Sequence, residues 1–447
     1  MVNICIVLII LNYNIKLKGV KMIGLNRLKG EGSPSTLFAA FLYFDFSFMV
    51  WTMLGPLATE ITDSFASYGF LLTASEIAKL LSVPILSGAL LRILLGFLVG
   101  KIGAKKTALG AQAIVIFTLF YVVLFGEHIS YDELLFVGIG LGFAGASFAV
   151  ALPQAGQWYP PRLQGVVLGI AAIGNMGVVL GFLFAPKIAE IWGWQAVFLV
   201  AAVLSLFVFI LYALMAKDAP EEVYTPRPKR ISDYIRLLKD KDTWWFNLFY
   251  AVSFGAFVGF AMYMKVYLMA MYFDEMEVFG EEVLKEENIH VVAGYFAAFC
   301  IMAGALLRPV GGAISDKIGG IRSLYIFLSS VAILIFINAY IALSFWFAII
   351  VMFLIMANLG MANGAIFQLV PQRFSKDIGI MTGIIGASGA LGGVAILEVL
   401  GASTLMFGDY TIGFMLIAIS VLIAIFGVSL VKRRWRTTWG IKSGGII

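Results

Sequence analysis

Residues 87–106 read SGALLRILLGFLVGKIGAKK, and residues 303–322 read AGALLRPVGGAISDKIGGIR, at an offset of 216. Each segment carries an arginine, Arg92 or Arg308, behind a Leu-Leu pair in an apolar run, followed by a glycine-rich basic loop. A second pair of segments, QWYPPRLQGVVLGI (157–170) and QRFSKDIGIMTGI (372–384), matches at an offset of 214 after one gap. Two separate helix pairs sharing nearly one offset argue that a unit of several helices has been duplicated. If the unit holds six helices, an even number, both copies enter a membrane in the same orientation. That is a parallel repeat about an axis normal to the bilayer.

The repeated runs are long enough to cross a bilayer. Apolar residues make up 61% of the 447-residue chain and charged residues only 13%, whereas soluble domains carry about a quarter charged residues. With a mean hydropathy of +0.98, most of the chain must face lipid. The runs are continuous rather than alternating, which excludes a membrane β-barrel. The expected fold class is an all-α membrane protein of twelve transmembrane helices in two six-helix pseudo-symmetric bundles. Predicted helices lie near 36–58, 76–99, 106–126, 132–154, 164–186, 195–215, 244–272, 291–314, 321–343, 346–369, 378–399 and 411–431. The corresponding divisions are an N-terminal segment at 1–35, a first bundle at 36–216, a linker at 217–243, a second bundle at 244–431 and a tail at 432–447. The first dozen apolar residues are too short to span; they read as an interfacial anchor or, the favoured expectation, as lying before a true start at Met22.

Charge fixes the expected orientation. Of 31 Lys and Arg, 25 fall on the side that holds both termini and the linker, while the other side carries acidic loops such as Asp274-Glu275-Met276-Glu277 and Glu281-Glu282. The positive-inside rule then puts both termini in the cytoplasm, in a multi-pass protein of the cytoplasmic (inner) membrane. The net charge of +5 is thus topology, with no nucleic-acid partner expected. Cys5 and Cys300 cannot form a disulfide framework or a metal site, His128 and His290 fall in predicted external loops, and neither a cofactor nor a metal is expected.

Arg92 and Arg308 are the sharpest signals. From the predicted helix ends, both sit roughly 10–12 Å inside the bilayer. A guanidinium there costs at least about 2.5–3.5 kcal/mol, so it must face a partner or a wet cavity. The bland reading is an internal salt bridge or snorkelling. The only carboxylate at similar depth is Asp45, in predicted helix 1, which leaves positive charge over, and that surplus asks for an anion. Arginine's planar, bidentate donors suit a trigonal oxyanion. Asp45 itself is either a proton carrier or an offset to Arg92, because burial raises a carboxyl pKa and a neighbouring arginine lowers it.

The glycine-rich stretches 170–186 and 383–401 occupy equivalent places in the two halves, where small residues allow close approach and sliding; Asn175 in the first can hydrogen-bond an anion without neutralising it. Phe148, Tyr250 and Phe254 do not stand out among 38 Phe and 17 Tyr. Glu398 and Lys265 lie toward outer helix ends and are expected to snorkel, and His290 and the acidic loop are expected to be solvated.

FAAFLYFDFSFMVWTMLGPLA (38–58), GFAGASFAVALPQAGQWYPPRLQGVVLGIAAIGNMGVVL (142–180), FYAVSFGAFVGF (249–260), LLRPVGGAISDKIGG (306–320) and NGAIFQLVPQRFSKDIGIMTGIIGASGALGG (363–393) together resemble the nitrate/nitrite porter family of the major facilitator superfamily. The resemblance runs from about residue 36 to 430. It implies the major facilitator fold, and that Arg92 and Arg308 clamp the anion from either half while Asn175, Tyr250, Phe148 and Phe254 line it. It also implies a gating motif at Gly96, Lys101 and Gly103, repeated at Asp316, Lys317 and Gly319. Gly100 stands where that motif usually has Asp, so gating is expected to lean on the second half. An Asp in helix 1 is closer to assimilatory-type importers than to pure exchangers.

The expected function is rocker-switch transport of nitrate, and of nitrite, by a monomer, with Asp45 coupling protons if transport is symport. Rival readings are a nitrate/nitrite exchanger and a carrier of another small anion such as formate, oxalate or cyanate. A membrane-embedded sensor would need a larger soluble domain than the linker provides. An enzyme would need a nucleophile–base or metal constellation that the sequence lacks.

Overall fold

The computed structural model describes residues 30–159, 167–168, 170–171, 173–220, 231–273, 289–341, 344–374 and 377–440. The N-terminal segment up to residue 29, the acidic loop that holds Asp274 to Glu282, residues 221–230 of the linker and residues 441–447 of the tail lie outside them. Among the described residues there is no strand. Twelve helices are long and apolar enough to cross a membrane: α1 (Pro34–Ser67), α2 (Ala74–Ile102), α3 (Ala104–His128), α4 (Tyr131–Gln157), α5 (Ile173–Trp192), α6 (Trp194–Met215), α7 (Lys241–Phe273), α8 (Ile289–Ile318), α9 (Gly320–Tyr340), α10 (Phe345–Arg373), α11 (Ile378–Phe407) and α12 (Thr411–Thr437). The chain is a multi-pass membrane protein. The face where α1 begins and α12 ends is called the terminal face below, and the opposite one the distal face.

Local chemistry starts these helices where it should. Ser33 accepts a hydrogen bond from the Thr36 amide, and Pro34 supplies a preset φ in the first turn of α1. Thr73 with Glu76, and Ser130 with Glu133, form capping boxes at the distal starts of α2 and α4. Gly103 (φ 88°) and Gly319 (φ 94°) are the single residues that separate α2 from α3 and α8 from α9. That left-handed conformation would strain any other residue, so the repeated motif glycines make the same turn in both halves.

Packing repeats every six helices. In the first half α2 packs on α4, α3 on α6 and α1 on α5; in the second α8 packs on α10, α9 on α12 and α7 on α11. The halves meet through α2 against α11 and α5 against α8, with α1 against α7. This is the pseudo-symmetric exchange that a parallel repeat predicts. The peripheral helices present apolar side chains outward, among them Phe117, Leu214, Ile333 and Phe426, where lipid rather than a core accepts them.

Two details differ from the sequence expectation. The predicted twelfth helix stops at 431, but α12 continues to Thr437. Asp242 holds the extension: it receives Trp435 Nε1 at 2.7 Å and Arg373 Nε at 2.7 Å, and pairs with Arg434. Within the linker, Ile231–Leu238 forms a short helix that joins α11 through Arg236 and Asp377 at 2.9 Å.

Candidate functional site

Arg92 lies ten residues before the end of α2 and Arg308 ten before the end of α8. That is about 15 Å along each helix. Both arginines therefore sit deeper than the 10–12 Å expected from sequence, because α2 and α8 each run further than predicted.

The Arg92 guanidinium is buried, at 1% exposure. Its Nε donates to the Gly145 carbonyl at 3.0 Å and its Nη1 to the Gly386 carbonyl at 2.5 Å. Gly145 can accept because α4 tightens there: the Ala149 amide bonds to Ala146 instead of reaching back to Gly145. Gly386 belongs to α11, so Arg92 already bridges the two halves. Nη2 has no hydrogen-bond partner among the described residues. Three aromatic faces surround the group, with ring centres at 4.9 Å for Trp51, 5.4 Å for Phe148 and 5.9 Å for Phe254.

Arg308 approaches from the other half. Its Nη2 donates to the Tyr250 hydroxyl at 3.0 Å. Phe367, Phe254 and Tyr250 lie 5.2, 5.8 and 5.9 Å from its guanidinium carbon. Phe254 therefore sits beside both cations, and the two guanidinium carbons are no further apart than their summed distances to that ring. Among the described residues no ion pair joins either arginine to a carboxylate. Carbonyls and aromatic faces orient a guanidinium but do not cancel its charge, so among the described residues no ion pair offsets either positive charge in this low-dielectric setting.

Glycines in α11 make room for this arrangement. A methyl on Gly389 would stand 2.6 Å from the Tyr250 ring and 2.8 Å from that of Phe254; one on Gly386 would stand 3.3 Å from Phe148 and 3.6 Å from Arg92 Nη1. The backbone of α11 thus serves as the wall on which the α7 rings lie, and Tyr250 and Phe254 stack there at 4.8 Å and 4°.

The remaining expected residues are placed less centrally. Asn175 is buried in the turn Ile173–Met176, a segment that packs against α1 and α8. Asp45 is buried in α1, where Gly174 and Gly177 of α5 lie against its backbone. In the motif region Gly96 faces Tyr234 of the linker helix, Lys101 lies over Phe97 at 4.7 Å, and Asp316 and Lys317 are exposed. Close to Gly100, Asp218 accepts from the Lys105 amide at 3.0 Å, at the start of α3.

A family model described as Major Facilitator Superfamily matches residues 36–397. A nitrite extrusion protein of Bacillus subtilis is 32% identical, covering 82% of this chain and 87% of its own length. The chain belongs to the nitrate/nitrite porter family of the Major Facilitator Superfamily. The "Probable nitrate transporter NarT" of Staphylococcus carnosus is 30% identical over 87% of this chain and 92% of its own. The "Probable nitrate/nitrite antiporter NarK1" of Thermus thermophilus is 29% identical over 80% and 82%. This porter is a transporter and not an enzyme.

Sequence reasoning missed several groups in the porter's centre. Trp51 and Phe367 flank the two arginines, and the carbonyls of Gly145 and Gly386 hold Arg92; a carbonyl leaves no residue-type signal at all. Lys265 was misread. It does not snorkel: its side chain is wholly buried, with Nζ 2.5 Å from Glu60 and 2.8 Å from the Pro56 carbonyl. The expected solvation of His290 also fails in part, since the residue lies in the first turn of α8, 3.2 Å from Asp63 and 3.0 Å from Thr59.

Proposed function

We propose that this porter carries nitrate, and nitrite, across the cytoplasmic membrane by alternating access of its two halves, with both termini in the cytoplasm. The observation that carries the reading is the pair of guanidinium groups, one from each half, beside a shared Phe254 ring and with no carboxylate partner among the described residues. A small planar oxyanion would take the unused Arg92 Nη2 and the donors of Arg308, and would cancel charge that the protein leaves standing. Because each half supplies one cation, binding draws the halves together. Arg92, Arg308 and Tyr250 act as donors in this scheme, Phe148 and Phe254 as walls, and Asn175 as a neutral amide behind them. The names of relatives support the same substrate class. The concentration of Lys and Arg toward the terminal face supports the orientation.

Proton-coupled import is the reading for direction, with buried Asp45 as the carrier and the porter acting as a monomer. Flux in proteoliposomes tests both parts. Arg308→Lys, which keeps the charge but loses the fork, is expected to abolish nitrate uptake; unchanged uptake would refute the clamp. Asp45→Asn is expected to abolish nitrate accumulation driven by a pH gradient, and unchanged accumulation would remove Asp45 from the coupling.

A further inference from the structure

Lys265 is a fully buried cation that the anion site does not use. It lies eleven residues beyond Phe254 in α7, about 16 Å further toward the distal face. Its ammonium reaches out of the second half: Glu60 and the Pro56 carbonyl, at 2.5 and 2.8 Å, both belong to α1. Glu60 is itself largely buried, with 13% of its side chain exposed. Around this pair the distal edges of the halves close on each other. Gly55 of α1 lies against Met262 of α7, Gly294 of α8 against Pro186 of α5, and Gly401 of α11 against Ala78 of α2. His290 of α8 reaches Thr59 and Asp63 of α1 at the rim, but with Asp63 66% exposed that contact is screened by water. On α5 the charges Lys187 and Glu190 are paired with each other at 2.6 Å and do not cross the interface. On the terminal face, among the described residues, no ion pair joins one bundle directly to the other.

We propose that Glu60 and Lys265 form the latch that holds the distal face shut. The inference rests on the alternating-access reading but not on the identity of the anion. A buried ion pair stabilises whichever conformation buries it only while both partners are present; removing one leaves an uncompensated charge in a dry place. Parting the distal edges separates Lys265 from Glu60 and wets both, so the unpaired charge favours the open face and the pair favours the closed one. The carboxylate and the ammonium are supplied by opposite halves, which makes the contact a property of the closed state rather than of either bundle.

Met262 gives the readout. It is fully buried, packed against α1 and three residues from Lys265. In a background with Cys5 and Cys300 replaced by Ser and Ala, Met262→Cys is labelled with a membrane-impermeant maleimide in sealed right-side-out vesicles. Glu60→Gln is expected to speed labelling by at least about tenfold, because it strands the Lys265 charge. The exchange Glu60→Lys with Lys265→Glu is expected to return the rate toward that of the parent. Should Glu60→Gln fail to fold, Lys265→Met carries the test, since it strands the Glu60 carboxylate instead, and the same acceleration is expected. An unchanged rate in either variant, or an exchange variant that stays fast, overturns the latch. No nitrate enters this measurement, so a failed latch leaves the anion reading intact and a failed anion reading leaves the latch intact.

Discussion

Among the described residues two cations, Lys265 and Arg92, lie wholly buried, and they are treated in opposite ways. Lys265, near the distal face, has a carboxylate at 2.5 Å from the other half. Arg92, near the centre, is just as buried, and among the described residues it meets backbone carbonyls and aromatic rings with no carboxylate. A paired buried charge fixes one conformation, because it loses its partner when the conformation changes. An unpaired buried charge stores a demand for a ligand, because only an incoming anion can satisfy it. The two sites together fit the proposed carrier, with the proposed binding place in the middle and the proposed latch at the edge.

The contrast can be broken from both sides. The largest effect is expected from Glu60→Gln, which should cost about 3–5 kcal/mol by leaving Lys265 alone, while Glu60→Met with Lys265→Met should be nearly neutral. Thermal unfolding in detergent would show the first variant melting well below the parent and the second close to it. Arg92→Gln should behave in the opposite sense. The ligand-free protein should melt no lower than the parent, because an uncompensated charge has gone, yet the melting shift produced by nitrate should be lost, corresponding to about 2–5 kcal/mol of binding. If Arg92→Gln unfolds the protein, the arginine is a structural element and the demand for an anion is not what it stores.

A smaller effect tests the wall. Gly389→Ala places a methyl where the Tyr250 and Phe254 rings stand, an overpacking worth about 1–3 kcal/mol. Nitrate affinity should fall while the rate of Met262→Cys labelling at the distal face remains that of the parent. The smallest effect is expected at the rim: Asp63→Asn removes an exposed partner of His290 and should change stability by less than about 1 kcal/mol.

Much of this was legible from the chain. The repeat at 87–106 and 303–322 announced two bundles, and the apolar runs announced twelve helices, because burial in lipid leaves a length and composition signature that survives without neighbours. Arg92 and Arg308 were legible for a related reason, since a guanidinium inside an apolar run is costly enough to need a purpose. Phe148, Tyr250 and Phe254 were not legible from their own positions. Aromatic residues are common here, and only the fold decides which of them turn toward the arginines. Lys265 was misjudged because its position near a helix end allows snorkelling, and sequence cannot show that Glu60 lies opposite, 205 residues earlier in the chain. The carbonyls of Gly145 and Gly386 were beyond reach, as every residue offers one.

The most direct test makes Arg92 resemble Lys265. A side chain on Gly386 starts 3.6 Å from Arg92 Nη1, so Gly386→Asp would give the guanidinium an internal carboxylate, and Gly386→Asn, of the same size but neutral, controls for bulk. Calorimetric titration with nitrate should show binding retained, though weakened, in Gly386→Asn and absent in Gly386→Asp. Equal nitrate affinity in the two variants would contradict the claim that uncompensated guanidinium charge is what draws the anion to this site.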